Sequence, residues 1–257
     1  IAVSLLPLAS LGDLWSYRRI YLIGLAVFSA MSIVCALSDS LLQLTLARML
    51  QGLGAAAVMS VNGALTRLIY PRARLARGVA LNTLIVSVAA AAGPSVAAVI
   101  LSLASWPWLF AVSAPVGLLA LLMGWKFLPA NEGVPSLRFD LPSAVLNVLT
   151  LGCFFMAVTG VAQGHAGWWL LGPLLIGGPL GWLFVRRQLS RSMPLLPVDL
   201  LRIPIFALSI GSSITAFAGQ MLAMVSIPFY FQQQLGLNAM QTGLLMTPWP
   251  LATMVSA

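Results

Sequence analysis

The chain is expected to fold as an all-α, polytopic transmembrane helix bundle. Three observations predict this: 60% of its 257 residues are hydrophobic, 7% are charged, and the basic residues collect in alternate gaps between long apolar runs. A soluble domain carries about 25% charged residues. A closed β-barrel crosses a bilayer on short strands of alternating polarity, whereas these apolar runs are continuous and much longer.

All thirteen Lys and Arg residues except Arg48 lie at or beside the breaks 13–19, 67–77, 126–140 and 186–202. The intervening breaks, 38–40, 105–107, 164–167 and 236–239, contain none. Positive charge of this kind is retained on the cytoplasmic side, so the pattern orients a multi-pass protein in a cytoplasmic (inner) membrane. The formal net charge of +8 raises the question of nucleic acid. These cations are dispersed among short loops with no aromatic interleaving, so no nucleic-acid partner is expected.

The breaks delimit complete spans at 20–37, 41–69, 78–104, 108–128, 141–163, 168–185 and 203–235. A span needs about 20 apolar residues. The runs 1–12 and 240–257 look incomplete, so the chain reads as a piece of a larger transporter. Spans 41–69 and 203–235 exceed the thickness of the hydrocarbon layer and should tilt, kink or protrude, with Pro228 the expected bend in the second. Trp106, Trp108, Trp168 and Trp169 flank two breaks that lack basic residues, where amphipathic rings anchor a helix at the interface. Cys35 and Cys153 fall inside spans and read as packing residues without a disulfide.

Arg48 requires a separate explanation. It stands seven residues into its span, about 10 Å along the axis, where insertion costs about 2.5–3.5 kcal/mol. At 100° per residue, Gln51, Ala55, Met59, Asn62 and Thr66 share its face and form one polar, partly small stripe. That face is expected to look into the bundle or a water-filled cavity. Two readings are open: Arg48 satisfies carbonyls of a neighbouring helix, or it faces an aqueous pathway and tunes a titratable group or an anionic substrate moiety. The five acids, Asp13, Asp39, Glu132, Asp140 and Asp199, all lie in or beside loops, so no buried carboxylate partner is visible.

Two other spans carry polar or small faces. Asn82, Ala89, Gly93 and Ala97 align, and the small residues permit another helix to approach closely. Gly93 and Pro94 also free backbone hydrogen-bonding groups that a neighbour or cavity must satisfy. Ser209, Ser213, Ala216 and Gln220 align on the last long span, as a substrate-lining or a packing face. Met59, Phe154, Met221, Met224 and Phe229 suit greasy ligands and lipid contact equally well.

Several chemistries are absent from the sequence. Lys126 is the only lysine and sits in no Gly-rich loop, which excludes a phosphate-cradling P-loop. His165 is the only histidine and has no Cys or acid cluster around it for a metal or a Ser-His-acid triad. No enzyme activity, metal or cofactor is expected.

The run from Arg48 through Gln51, Gly52 and Gly54 to Ala56 resembles the fourth-helix motif of the major facilitator superfamily. Pro7 to Asp13, followed by Arg18 and Arg19, resembles the loop motif between its second and third helices, with Ala9 and Ser16 standing where glycines are usual. Gly93-Pro94-Ser95-Val96-Ala97-Ala98 is similar to the fifth-helix antiporter motif, its closing glycines replaced by alanines. The segments 105–110, Phe139-Asp140 and 227–232 resemble the fourteen-helix drug:proton branch.

This resemblance implies a chain running from late helix two into helix ten. Residues 1–128 would be the remainder of the N-terminal six-helix bundle. Residues 129–202 would hold a cytoplasmic linker and an extra helix pair, and 203–257 the start of the C-terminal bundle. It also implies proton-coupled efflux of hydrophobic or cationic drugs by alternating access, with a small-molecule substrate, protons and the bilayer as partners and a monomer as the expected state. Arg48, Gln51 and Asn62 would serve proton coupling, Asp13, Arg18 and Arg19 the cytoplasmic gate, and Gly93 and Pro94 the bending helix. Met59, Asn82, Ser213 and Gln220 would line the substrate path. The alternatives are a membrane subunit driven by a separate ATPase chain, or a facilitator of a different small metabolite.

Overall fold

The computed structural model describes residues 1–133, 139–164, 167–191, 194–196, 198–246, 248, 249 and 252, apart from the side chains of residues 91, 94, 169, 239 and 240. His165 therefore lies outside the described residues, as do the side chains of Pro94 and Trp169. No strand occurs among the described residues, whose regular elements are all helices.

α1 (Ala2–Trp15) and α2 (Tyr17–Ala36) are divided at Ser16, whose φ is 147°. That angle suits glycine, and it occurs where the resembling loop motif carries one. The Ser16 hydroxyl accepts from the Arg19 amide and so starts α2. α3 (Leu41–Ile69) begins at Ser40, which accepts from the Gln43 amide at 3.2 Å, as an N-cap serine should. α4 (Leu75–Leu103) follows a 3-10 turn at Arg72–Arg74.

The expected span 108–128 forms as α5 (Trp108–Ala111) and α6 (Ser113–Phe127). Between them Val112 keeps helical angles, φ −66° and ψ −29°. Pro115 has no N–H to offer the Ala111 carbonyl, so the bonding ladder breaks while the path continues.

α7 (Leu141–Ala162) starts at Asp140, whose carboxylate accepts from the Ser143 amide. α8 (Trp168–Leu189), α9 (Pro204–Gln233) and α10 (Ala239–Met246) complete the chain. Pro228 lies inside α9, which continues as one helix to Gln233. By length and apolar content six helices among the described residues suit a membrane span: Tyr17–Ala36, Leu41–Ile69, Arg72–Leu103, Trp108–Phe127, Leu141–Ala162 and Pro204–Gln233. The seventh expected span, 168–185, forms within the 22 residues of α8.

The tightest seam joins α2 and α3 through Gly24 and Gly54. A Cβ on Gly54 would fall 2.7 Å from the Phe28 nitrogen, and one on Gly24 would fall 2.8 Å from the Gly54 oxygen. Small residues let two backbones touch, which matters in lipid because dispersion contacts must supply what the hydrophobic effect does not. Below that seam Ile20, Ala57, Val61 and Leu65 form a buried cluster covered by Leu8, Leu11 and Leu128. α6 packs on the other side of α2, with Gly117 against Ser29.

α7 and α8 form a hairpin of their own. Gly177 and Gly181 of α8 come against Cys153 and Thr150 of α7, where added Cβ atoms would lie 2.9 and 3.1 Å from those side chains. The hairpin leans on α1 through α7. α10 packs on α4 and α9, and no residue of α9 is buried. Such apolar exposure is a liability in water, but lipid tails solvate it in a bilayer.

Candidate transport site

Arg48 occupies the second turn of α3, and its partners are side chains rather than carbonyls. Its Nη1 donates to Gln51 Oε1 at 2.6 Å, one helical turn on. Gln51 is 3% exposed, and its Nε2 donates to Ser32 Oγ of α2 at 2.6 Å. Ser32, fully buried, donates in turn to the Phe28 carbonyl at 2.8 Å. The guanidinium carbon lies 5.3 Å from the centre of the Phe110 ring. This supplies a cation–π contact that strengthens where water is excluded.

These contacts hold the cation at the mouth of a cleft rather than inside the packed seam. Arg48 itself remains exposed, and with Phe28, Thr45, Gln51 and Ala55 it lines a cleft of about 400 Å³. The stripe running down α3 divides beyond that point. Met59 is 59% exposed. Asn62, about 21 Å from Arg48 along the axis, lines a second cleft of about 720 Å³ with Thr66, Tyr21, Met123 and Phe127. Arg48 and Gln51 are thus brought together, while Asn62 serves a different cleft.

Asp13, Arg18 and Arg19, expected at the cytoplasmic gate, do not pair with one another among the described residues. Asp13 accepts from the Tyr17 hydroxyl at 2.6 Å, and the Arg18 guanidinium donates to the Trp125 carbonyl of α6. Arg19 is exposed. The reason is the turn at Ser16, which folds Tyr17 back onto Gly12 and sends Arg18 towards α6. The linker joins this knot: Asn131 Oδ1 accepts from the Ser16 hydroxyl at 3.0 Å and from the Arg18 amide at 3.2 Å.

On α4, an added Cβ at Gly93 would meet nothing within 4 Å, so the close approach expected there is absent among the described residues. The helix instead nears α10 at Ser95, 3.4 Å from the Cβ position of Gly243. Asn82 is half-buried. On α9 the Ser213 hydroxyl donates to the Ser209 carbonyl at 2.9 Å, and Gln220 is exposed, so this face contributes to no enclosed pocket among the described residues.

Ion pairs among the described residues gather on Asp140. Arg187 Nη2 lies 2.9 Å and Arg191 Nε 3.4 Å from its carboxylate, and the Ser143 hydroxyl donates to it at 2.7 Å. Burial alone would raise the Asp140 carboxyl. The bonds from Arg187 and Ser143, with the Arg187 charge, outweigh it and hold the group below the ordinary carboxylate range.

Ser32 and Phe110 were not singled out by sequence reasoning as partners of Arg48. The available signal was faint: Ser29 and Ser32 recur at helical spacing within an otherwise apolar span, and Phe110 sits in a run that resembles a family motif.

The family assignment rests on sequence comparison. The sequence model of the Major Facilitator Superfamily matches residues 1–257. The chain belongs to the major facilitator superfamily. Among facilitator relatives, it is 57% identical over 258 residues to the uncharacterized transporter YebQ of Escherichia coli (strain K12), covering 100% of this chain and 56% of that protein. It is 30% identical over 255 residues to the putative multidrug resistance protein MdtD of Salmonella heidelberg (strain SL476), covering 99% and 54% respectively. The chain thus spans about half the length of the curated facilitators it matches.

Proposed function

We propose that this facilitator is a secondary active transporter that exports hydrophobic or cationic drugs in exchange for protons. Two bundles, the first holding residues 1–128 as its remainder and the second starting with 203–257, joined through 129–202, would rock about a midplane site in a bacterial inner membrane. The observation that carries the reading is the Arg48–Gln51–Ser32 relay at the cleft mouth. It holds a permanent cation at membrane depth without neutralising it, and such a charge lowers the pKa of any carboxyl brought beside it. The similarity to a relative named as a putative multidrug resistance protein supports the substrate class.

Within this reading Arg48 sets the proton affinity of a coupling carboxyl, Gln51 orients Arg48, and Asn62 lines the route below it. Asp13, Arg18 and Arg19 close the cytoplasmic side, and Gly93 with Pro94 permits α4 to bend. Met59, Asn82, Ser213 and Gln220 face the substrate. The test uses the full-length protein in proteoliposomes with an imposed pH gradient and a fluorescent lipophilic cation. Transport should stop when a protonophore collapses the gradient. Transport that persists would exclude proton exchange, and a requirement for added ATP would indicate a separate motor chain.

A further inference from the structure

The relay at Arg48 makes no use of the α7–α8 hairpin, yet the hairpin is fastened to α1 by an unusual bond. Asn147 is 2% exposed in a mainly apolar helix, and its Nδ2 donates to the Val3 carbonyl of α1 at 2.9 Å. Pro7 lies inside α1 four residues after Val3. An ordinary residue at that position would give its N–H to Val3, and proline has none. The carbonyl that Asn147 satisfies is therefore the one that Pro7 leaves open.

A second fastening lies at the other end of α1. There the linker's Asn131 takes both the Ser16 hydroxyl and the Arg18 amide, and Gly133 abuts the Leu14–Trp15 backbone. The Asp140 cluster ties the base of α7 to α8 through Arg187. In contrast, among the described residues α9 packs on neither helix of the hairpin; its neighbours there are the 3-10 turn at Val198–Arg202 and α10.

We propose that Pro7 and Asn147 form a matched docking pair that fixes the α7–α8 hairpin to the first bundle, so that the hairpin moves with α1 and not with α9. Asn147 is a positioning residue in this arrangement. Sequence separation conceals the pair, since each residue alone looks like a local imperfection in an apolar helix.

A double-mutant cycle in the full-length protein tests the match. Asn147→Leu should lower the melting temperature by several degrees when residue 7 is proline, because the Val3 carbonyl is then left without a donor. In the Pro7→Ala background the alanine supplies its own N–H, and the same change should cost less than half as much. Equal losses in the two backgrounds would overturn the pairing.

A second measurement leaves both residues intact. Spin labels at the exposed positions Ile33 of α2, Phe155 of α7 and Ile214 of α9, in a background lacking Cys35 and Cys153, report pairwise distances with and without the lipophilic cation tetraphenylphosphonium. The α2–α7 distance should stay narrow and constant while the α7–α9 distance shifts. A shift in α2–α7 as large as that in α7–α9 would overturn the docking. An α2–α9 distance that never shifts would instead contradict rocking of the bundles, and the mutant cycle would still decide the docking by itself.

Discussion

Gln51 Nε2 and Ser32 Oγ meet 2.6 Å apart across the α2–α3 seam, with both side chains shut away from solvent. Removing one partner leaves a buried donor, whereas removing both leaves none. Ser32→Ala should therefore destabilise the protein by about 1–3 kcal/mol, and Ser32→Ala with Gln51→Leu should recover part of that loss. Thermal unfolding in detergent of the native protein, Ser32→Ala, Gln51→Leu and the double variant checks this, and additive losses would remove the hydrogen bond from the account.

Ser16 adopts a glycine-like φ of 147° while its hydroxyl serves Asn131 and the start of α2. Glycine here relieves strain and loses the two bonds, so Ser16→Gly should leave stability nearly unchanged. Ser16→Val keeps the strain, adds a branched side chain and loses the bonds, and should cost about 1–3 kcal/mol. Melting temperatures that rank valine level with glycine would show that the backbone there relaxes freely.

How much of this was legible in the sequence differs by residue. The bounds of α3 follow from the apolar run between the break at 38–40 and the basic break at 67–77, and they emerge as expected. The division at Val112 was missed because its cause, Pro115, lies three residues further on and the backbone hardly deviates there. Arg48 and Gln51 share a face by helical arithmetic alone. The clefts that separate Gln51 from Asn62 depend on α6 and α2, whose placement no periodicity reports. Partners such as Val3 and Asn147, 144 residues apart in sequence, are invisible to any local pattern.

The glycine seam gives a contrast within one helix. Gly54→Ala puts a methyl 2.7 Å from the Phe28 nitrogen, while Gly63 has nothing within 4 Å of its Cβ position. Gly54→Ala should cost about 1–3 kcal/mol by overpacking. Gly63→Ala should stabilise by about 0.5–1 kcal/mol through helix propensity. Chemical or thermal unfolding of both variants provides the comparison, and similar effects from the two would contradict the α2–α3 packing.

Asp140 supplies a pH dependence whose sign is fixed. Its folded carboxyl titrates below the ordinary value, about 3.9 for a free aspartate. Its contribution is complete above that ordinary value and disappears as pH falls through the lower folded value. Melting temperature measured from neutral pH down into that acid range should fall more steeply for the native protein than for Asp140→Asn. Parallel curves would mean that the Arg187 and Arg191 pairs are not maintained in the membrane protein.

Arg48 bears the central claim, because Lys and Arg differ in the planar fork that meets Gln51 and lies over Phe110. The most direct measurement is pH-gradient-driven drug transport by the full-length protein in proteoliposomes, comparing native, Arg48→Lys and Arg48→Ala proteins at equal reconstitution. The account predicts strong impairment by lysine and loss of gradient-driven transport by alanine. Native-level transport by Arg48→Ala would contradict it.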